Sequence, residues 1–185
     1  MGSYIHKISE QTTILNRLVH SLLDVSRIDR GNLALEMEQF SMNELIQETI
    51  ESLQPTTHIP IYFQAHKKAS VNADKNRIRQ VLINLLSNAI KYSPSEGSVE
   101  IRLYKEIDRC IVSVKDSGIG IEKKHLALVF KRFFRVYGHD TRRFAGMGMG
   151  LYISHEIIKG HKGKIWVESE KGKGSTFFFS LPTSY

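Results

Sequence analysis

Three short stretches carry residues whose types and spacing suit chemistry. In "RQVLINLLSNAIKYS", residues 79–93, Asn84, Asn88 and Lys91 stand at i, i+4 and i+7 and share one face of a helix. Val81, Leu82, Leu85, Leu86 and Ala89 form a separate core face. Asn is a poor helix-interior residue because its side chain competes for backbone hydrogen bonds, so two of them one turn apart need a reason. A solvated polar stripe is one reason. A metal and phosphate face is the other: an Asn amide oxygen is a neutral, hard ligand suited to Mg2+, which takes most of its ligands from water and phosphates. Lys91 would add a cation beside those phosphates, and Tyr92 would flank a nucleotide with its ring.

The second stretch, "VSVKDSGIGI" (112–121), ends a strand at Asp116 and continues through Gly118 and Gly120. A carboxylate there could accept a hydrogen bond from an exocyclic amine, with the glycines letting a flat base approach. An ordinary strand-end turn fits the same residues. The third, "GMGMGLYIS" (146–154), places Gly146, Gly148 and Gly150 just before a helix. Its backbone N–H groups would lie at the positive end of the helix dipole, an anion site, unless the loop simply packs close to a sheet. Neither glycine run is a dinucleotide fingerprint or a P-loop, since G-x-G-x-x-G and Gly-Lys-Ser/Thr are both missing.

The elements that must position these residues follow from periodicity. Residues 5–29 carry apolar side chains at helical spacing, with Ile8, Leu15 and Leu22 seven apart, and Gly31 ends the run. Leu33, Leu35 and Met37 alternate with polar partners and predict a strand. Ser41 and Glu44 form a capping box for a helix through about Leu53. Pro55 and Pro60 bracket a loop before the strand "IYFQA"; Asp74 caps the helix that runs to about Lys91. Strands are predicted near Val99–Tyr104 and Cys110–Lys115, a helix over 123–133, and a polar loop over 135–145. The helix "GLYISHEIIKG" and the strands "KIWVESE" and "STFFFSL", joined by "KGKG", complete an α+β fold: a two-layer α/β sandwich with helices on one face of a mixed sheet, preceded by the long N-terminal helix.

Bulk properties narrow the partners. The 185 residues are 41% hydrophobic and carry a net charge of +7. The basic residues are scattered in pairs such as Lys67-Lys68, Lys123-Lys124 and Arg142-Arg143, which favours an anionic small ligand over nucleic acid. No stretch approaches the ~20 apolar residues of a membrane span, so no membrane contact is expected of this segment. The lone Cys110 sits in an alternating apolar run, a buried thiol suited to the reducing cytoplasm. The opening Met-Gly-Ser has the look of an appended leader, and we expect the chain to be a piece of something longer.

Taken in order, "NLLSNAIKYS", "DSGIG", "FKRFFRV", "GMGMGL" and "GKGSTF" resemble the N, G1, F, G2 and terminal glycine boxes of the ATP-binding domain of sensor histidine kinases, a branch of the Bergerat-type ATPase/kinase superfamily. The likeness spans about residues 33–182. The helix ending "LLDVSRIDRG" resembles the second helix of that family's dimerisation hairpin, so the expected division is a hairpin helix over 1–31 and an ATP-binding domain over 32–185.

The resemblance implies that Asn88 binds Mg2+ and that Asn84 and Lys91 assist at the phosphates. Tyr92 would contact the adenine side and Asp116 the adenine amino group, in a pocket shaped by Gly118 and Gly120, with Thr176 lining its floor. Gly146, Gly148 and Gly150 would hinge a lid over 135–145, with Leu151 near the nucleotide and Arg142 and Arg143 reaching the phosphates. It also implies homodimerisation through the hairpin, a response-regulator partner and a cytoplasmic setting, with membrane anchoring of the intact protein left open.

ATP-hydrolysing relatives place a Glu one turn before the magnesium Asn as general base for water. Here that residue is Asn84, which disfavours hydrolysis and suits a kinase. None of the eight His has the setting of a phosphoryl acceptor. His139 begins "HDTRRF" but lies in the lid, His155 follows the glycine run directly, and His6 and His20 lack an acidic neighbour. The segment is therefore expected to bind Mg–ATP without phosphorylating itself. A non-catalytic nucleotide-sensing domain and an ATPase switch are the alternatives.

Overall fold

The computed structural model describes residues 2–31, 33–135 and 147–183. The chain divides into two compact units, Met1–Ala34 and Leu35–Tyr185. The first holds α1 (Gly2–Asp29), which ends where Gly31 adopts a φ of +67° and donates its N–H to the Ile28 carbonyl. Leu15, Val19, Leu22 and Leu23 are exposed along α1. No helix among the described residues is long and apolar enough to cross a membrane.

The second unit runs β1 (Glu38–Ser41), α2 (Met42–Leu53), a 3-10 turn at Gln54–Thr56, β2 (Ile61–Ala65), β3 (Ser70–Ala73), α3 (Lys75–Tyr92), β4 (Val99–Lys105) and β5 (Arg109–Asp116). After a 3-10 turn at Lys123–His125 come α4 (Gly150–Gly160), β6 (Lys164–Ser169) and β7 (Ser175–Pro182). The main sheet has the order β2-β4-β5-β7-β6, with only β2 and β4 parallel. A two-stranded ribbon pairs β1 with β3. The architecture is the expected one, a mixed five-stranded sheet layered with helices.

Alternation decides which side chains face the helices. Val99, Ile101 and Leu103 of β4, Val112 and Val114 of β5, and Phe177, Phe179 and Leu181 of β7 are all buried. They meet Leu45 and Ile46 of α2, Val81, Leu82, Leu85 and Leu86 of α3, and Ile153, Ile157 and Ile158 of α4, where each large apolar side chain contributes roughly 1.5–3 kcal/mol by burial. The opposite face carries polar and aromatic residues, including the stacked Trp166–Phe178 pair with ring centroids 5.1 Å apart. Both predicted caps form: Glu44 N–H donates to Ser41 Oγ at 3.3 Å and Arg77 N–H to Asp74 Oδ1 at 3.0 Å.

Two elements depart from the sequence reading. The strand expected at Leu33–Met37 begins only at Glu38, because its partner β3 is four residues long and ends at Ala73, just before Asp74. There the Asp74 carboxylate, rather than a strand, takes the Glu36 N–H at 3.0 Å. The helix expected over 123–133 is one 3-10 turn followed by i→i+3 turns, Leu128 N–H to His125 and Lys131 N–H to Leu128. Val129 alone is buried there, too little of a stripe to hold a helix, and Phe133 (φ +61°) gives its N–H to Gly148 instead.

A buried histidine ties the ends of two helices together. His161 accepts the Asp74 N–H at Nε2 (2.9 Å), so Nδ1 carries the proton and donates to the Ile157 carbonyl at 2.8 Å. His161→Ala leaves the buried Asp74 N–H unsatisfied and opens a cavity. We expect a loss of about 3 kcal/mol in urea unfolding with an unchanged m-value.

Candidate functional site

Asp116 closes β5 and is only 4% exposed. Its Oδ1 accepts the N–H of Gly118 at 2.8 Å and of Ser175 at 3.2 Å, while Oδ2 takes no hydrogen bond among the described residues. Burial pushes this carboxyl above the usual range, and the two backbone donors pull it partly back. One oxygen is thus anchored and the other left open for a donor.

The loop beyond Asp116 is built on absent side chains. A Cβ on Gly118 would collide with the Tyr92 carbonyl and Asp116 Oδ1, and Gly120, at φ +64°, lies against the Glu170 carbonyl. The turn between β6 and β7 grips this loop from outside. Gly172 N–H donates to the Ile119 carbonyl at 2.8 Å, and Lys171 reaches Glu122 at 2.5 Å. Lys124 and Lys171 together hold the Glu122 carboxyl down to about 2.

On α3 the two asparagines separate. Asn84 turns toward α4: its Nδ2 donates to the buried Ser154 Oγ at 2.9 Å, and its Oδ1 fills the space a Cβ on Gly150 would need. Asn88, one turn on and half-buried, makes no hydrogen bond or ion pair among the described residues. The Nδ2 of Asn84 is thus engaged at the α3–α4 seam. Lys91 and Tyr92 end the helix, with Lys91 Nζ 5.1 Å from the Tyr92 ring centroid. Burial, and then the like charge of Arg135, hold the Lys91 ammonium below its usual range, while burial pushes the Tyr92 phenol up.

Arg135 is the residue that sequence reasoning missed, having been taken only as the start of the lid. Its side chain packs on Gly148 and its charge acts on Lys91 and Tyr92. The signal was the arginine of "FFRV", whose partner in space lies over forty residues upstream. Gly148 has φ +69°, and Leu151 is half-buried in the first turn of α4. Gly146, Arg142, Arg143 and His139 lie outside the described residues.

Thr176 is misplaced by one residue. The register pairs Asp116 with Ser175 and Lys115 with Thr176, so alternation sends Thr176 to the sheet face opposite Asp116. The hydroxyl beside the carboxylate is that of Ser175, which is 7% exposed.

The profile of the family described as "Histidine kinase-, DNA gyrase B-, and HSP90-like ATPase" matches residues 73–185, which span α3, the Asp116 loop and the glycine run. The chain belongs to this family. It is 36% identical, over 97% of its length and 24% of the relative's, to the circadian input-output histidine kinase CikA of Synechococcus elongatus. Full-length ShkA, solved with AMPPNP, superposes with a TM-score of 0.85 at 26% identity, covering 98% of this chain and 38% of ShkA. The histidine kinase ThkA, solved with the response regulator TrrA, gives 0.72 at 31% identity, covering 93% of this chain and 50% of that one. The chain spans about a quarter of the length of the first curated relatives it matches. Within the family it is an ATP-binding domain of the histidine-kinase type.

For such a domain the depressed Lys91 is measurable. A polyphosphate beside it favours the charged form and restores its pKa, so nucleotide binding takes up a proton at alkaline pH. Calorimetry of ATP binding at alkaline pH in buffers of different ionisation enthalpy should show this uptake, and Lys91→Met should abolish it.

Proposed function

We propose that this chain is the catalytic module of a sensor histidine kinase, binding Mg–ATP for transfer of the γ-phosphoryl group to a histidine outside this sequence. The observation that carries the reading is that Asn88 and Lys91 lie on the same helix whose end, Tyr92, abuts the Asp116 loop. A base bonded at Asp116 Oδ2 would place its phosphates along α3 toward Asn88, Lys91 and Arg135. Arg142, Arg143 and Gly146 are assigned to the lid by resemblance alone.

The donor set suits Mg2+. The described residues include no group of three or more His, Cys, Asp or Glu side chains arranged around a metal, whereas Asn88 offers one neutral oxygen. That matches a hard cation which arrives on phosphates and keeps its waters. When bound, Mg2+ supplies charge neutralisation at the β- and γ-phosphates. The chain's own residues position the rest. Asp116 and Ser175 hold the base, Lys91 and Arg135 neutralise charge developing on the phosphates, and Asn84 fixes α4 against α3. With Asn84 neutral and held by Ser154, the general base that water attack needs is missing from this turn of α3.

In this reading α1 is the second helix of a dimerisation hairpin, joining two copies in the intact protein, and the phosphoryl group passes on to a response-regulator aspartate. A cytoplasmic setting accords with the single buried thiol, Cys110, which burial pushes up to about 12. A nucleotide-sensing domain without transfer is the alternative. Two experiments decide. With γ-labelled Mg–ATP and a separately supplied hairpin bearing the acceptor histidine, label should reach the hairpin with little free phosphate. Binding without label would favour a sensing domain, and rapid phosphate release an ATPase.

The second experiment is a pH titration of affinity. Because the Asp116 carboxyl is raised, its acceptor form is lost at higher pH than for an exposed aspartate. ATP affinity should therefore fall on acidification through that raised value. Asp116→Asn should bind at least about tenfold more weakly at neutral pH and lose this acid limb.

A further inference from the structure

Ser169, the last residue of β6, sits at the centre of a small hydroxyl network beside Asp116. Its Oγ accepts the Ile121 N–H at 2.8 Å, lies 2.8 Å from the Gly174 carbonyl oxygen, and is 2.9 Å from Ser175 Oγ. A carbonyl only accepts, so the one proton of the Ser169 hydroxyl goes to Gly174. The contact between the two serines is then made by the Ser175 hydroxyl donating into Ser169. Ser175 is left with lone pairs alone to offer.

That matters because Ser175 stands directly opposite Asp116 in the β5–β7 register, on the same face, and already gives its N–H to Asp116 Oδ1. With Asp116 Oδ2 open, Asp116 and Ser175 together present acceptors only. Such a surface fits a 6-amino purine, which donates, and opposes a 6-oxo purine, whose oxygen finds no proton.

We propose that Ser169 is the positioning residue that sets this purine preference, by taking the Ser175 hydroxyl proton and so fixing Ser175 as an acceptor. The inference rests on the ATP-binding reading above. It deepens that reading by assigning nucleotide choice to a residue that acts on the site through the Ser175 hydroxyl.

The test compares binding of Mg–ATP and Mg–ITP to this chain. The two carry the same phosphates, so effects at the phosphate end cancel in the affinity ratio. Ser169→Ala frees the Ser175 proton and should lower the ATP:ITP ratio about tenfold, whereas Ser169→Thr, which keeps the hydroxyl, should leave it unchanged. In a Ser175→Ala background the same Ser169→Ala change should no longer move the ratio. Equal weakening of both nucleotides would overturn the proposal, showing that Ser169 merely holds the loop through Ile121 and Gly174. A ratio shift that persists without the Ser175 hydroxyl would overturn it too. If Ser169→Ala fails to fold, Ser169→Cys keeps the volume and removes the strong acceptor. It should shift the ratio in the same direction, and no shift refutes the role. Wild-type chain that binds neither nucleotide would instead overturn the functional reading itself, and this inference with it.

Discussion

A carboxylate buried at the end of a central strand is expensive unless backbone donors meet it, and much of the second unit is arranged around that requirement at Asp116. One donor comes from Gly118, reached by a chain reversal so tight that the Tyr92 carbonyl occupies the place of a side chain. The other comes from Ser175, which exists at that spot only because β7 pairs with β5 in a register that sets the two residues opposite each other. Shifting that register by one residue would exchange Ser175 for Thr176 and turn the core-facing phenylalanines outward. The hydrophobic pattern of β7 and the polar geometry of the site therefore enforce the same alignment. Burial and donors act against each other on the carboxyl, and the unbonded Oδ2 keeps acceptor capacity for a ligand.

Helix α3 divides its labour by face. Its apolar stripe anchors it on the sheet, Asn84 joins it to α4, and Asn88 makes no hydrogen bond among the described residues. The seam with α4 is narrow, since Gly150 supplies no side chain where the Asn84 amide lies. Lys91, half-buried near Arg135, carries a standing electrostatic cost. A polyanion relieves it, which is how a site can be preorganised for phosphates and carry like charges together without one.

The turn between β6 and β7 has a similar dual role. It ends one edge of the sheet, yet its Gly172 amide and its Lys171–Glu122 pair clasp the loop that follows Asp116. That pair is exposed and adds little to stability. The half-buried bonds through Ser169 are the firmer restraint, because they satisfy the Ile121 N–H and the Gly174 carbonyl from within the protein.

Most of this architecture was legible in the linear pattern. Ser41 and Asp74 announced their helices, the runs Val99–Tyr104 and "STFFFSL" announced strands, and the order of the glycine and asparagine boxes announced the family. Those features are local, set by backbone propensity and by side-chain period within one element. Four matters were decided only by packing between segments distant in the chain. Asn84 could not be told from Asn88 until Ser154, seventy residues later, claimed it. Thr176 and Ser175 were equivalent until the register with β5 chose between them. Arg135 looked like loop charge until the fold brought it to Lys91. Leu33–Met37 had the period of a strand but no partner, because β3 is too short to extend the ladder. Periodicity tells a side chain which face it occupies, and only the tertiary fold supplies what stands on the other side.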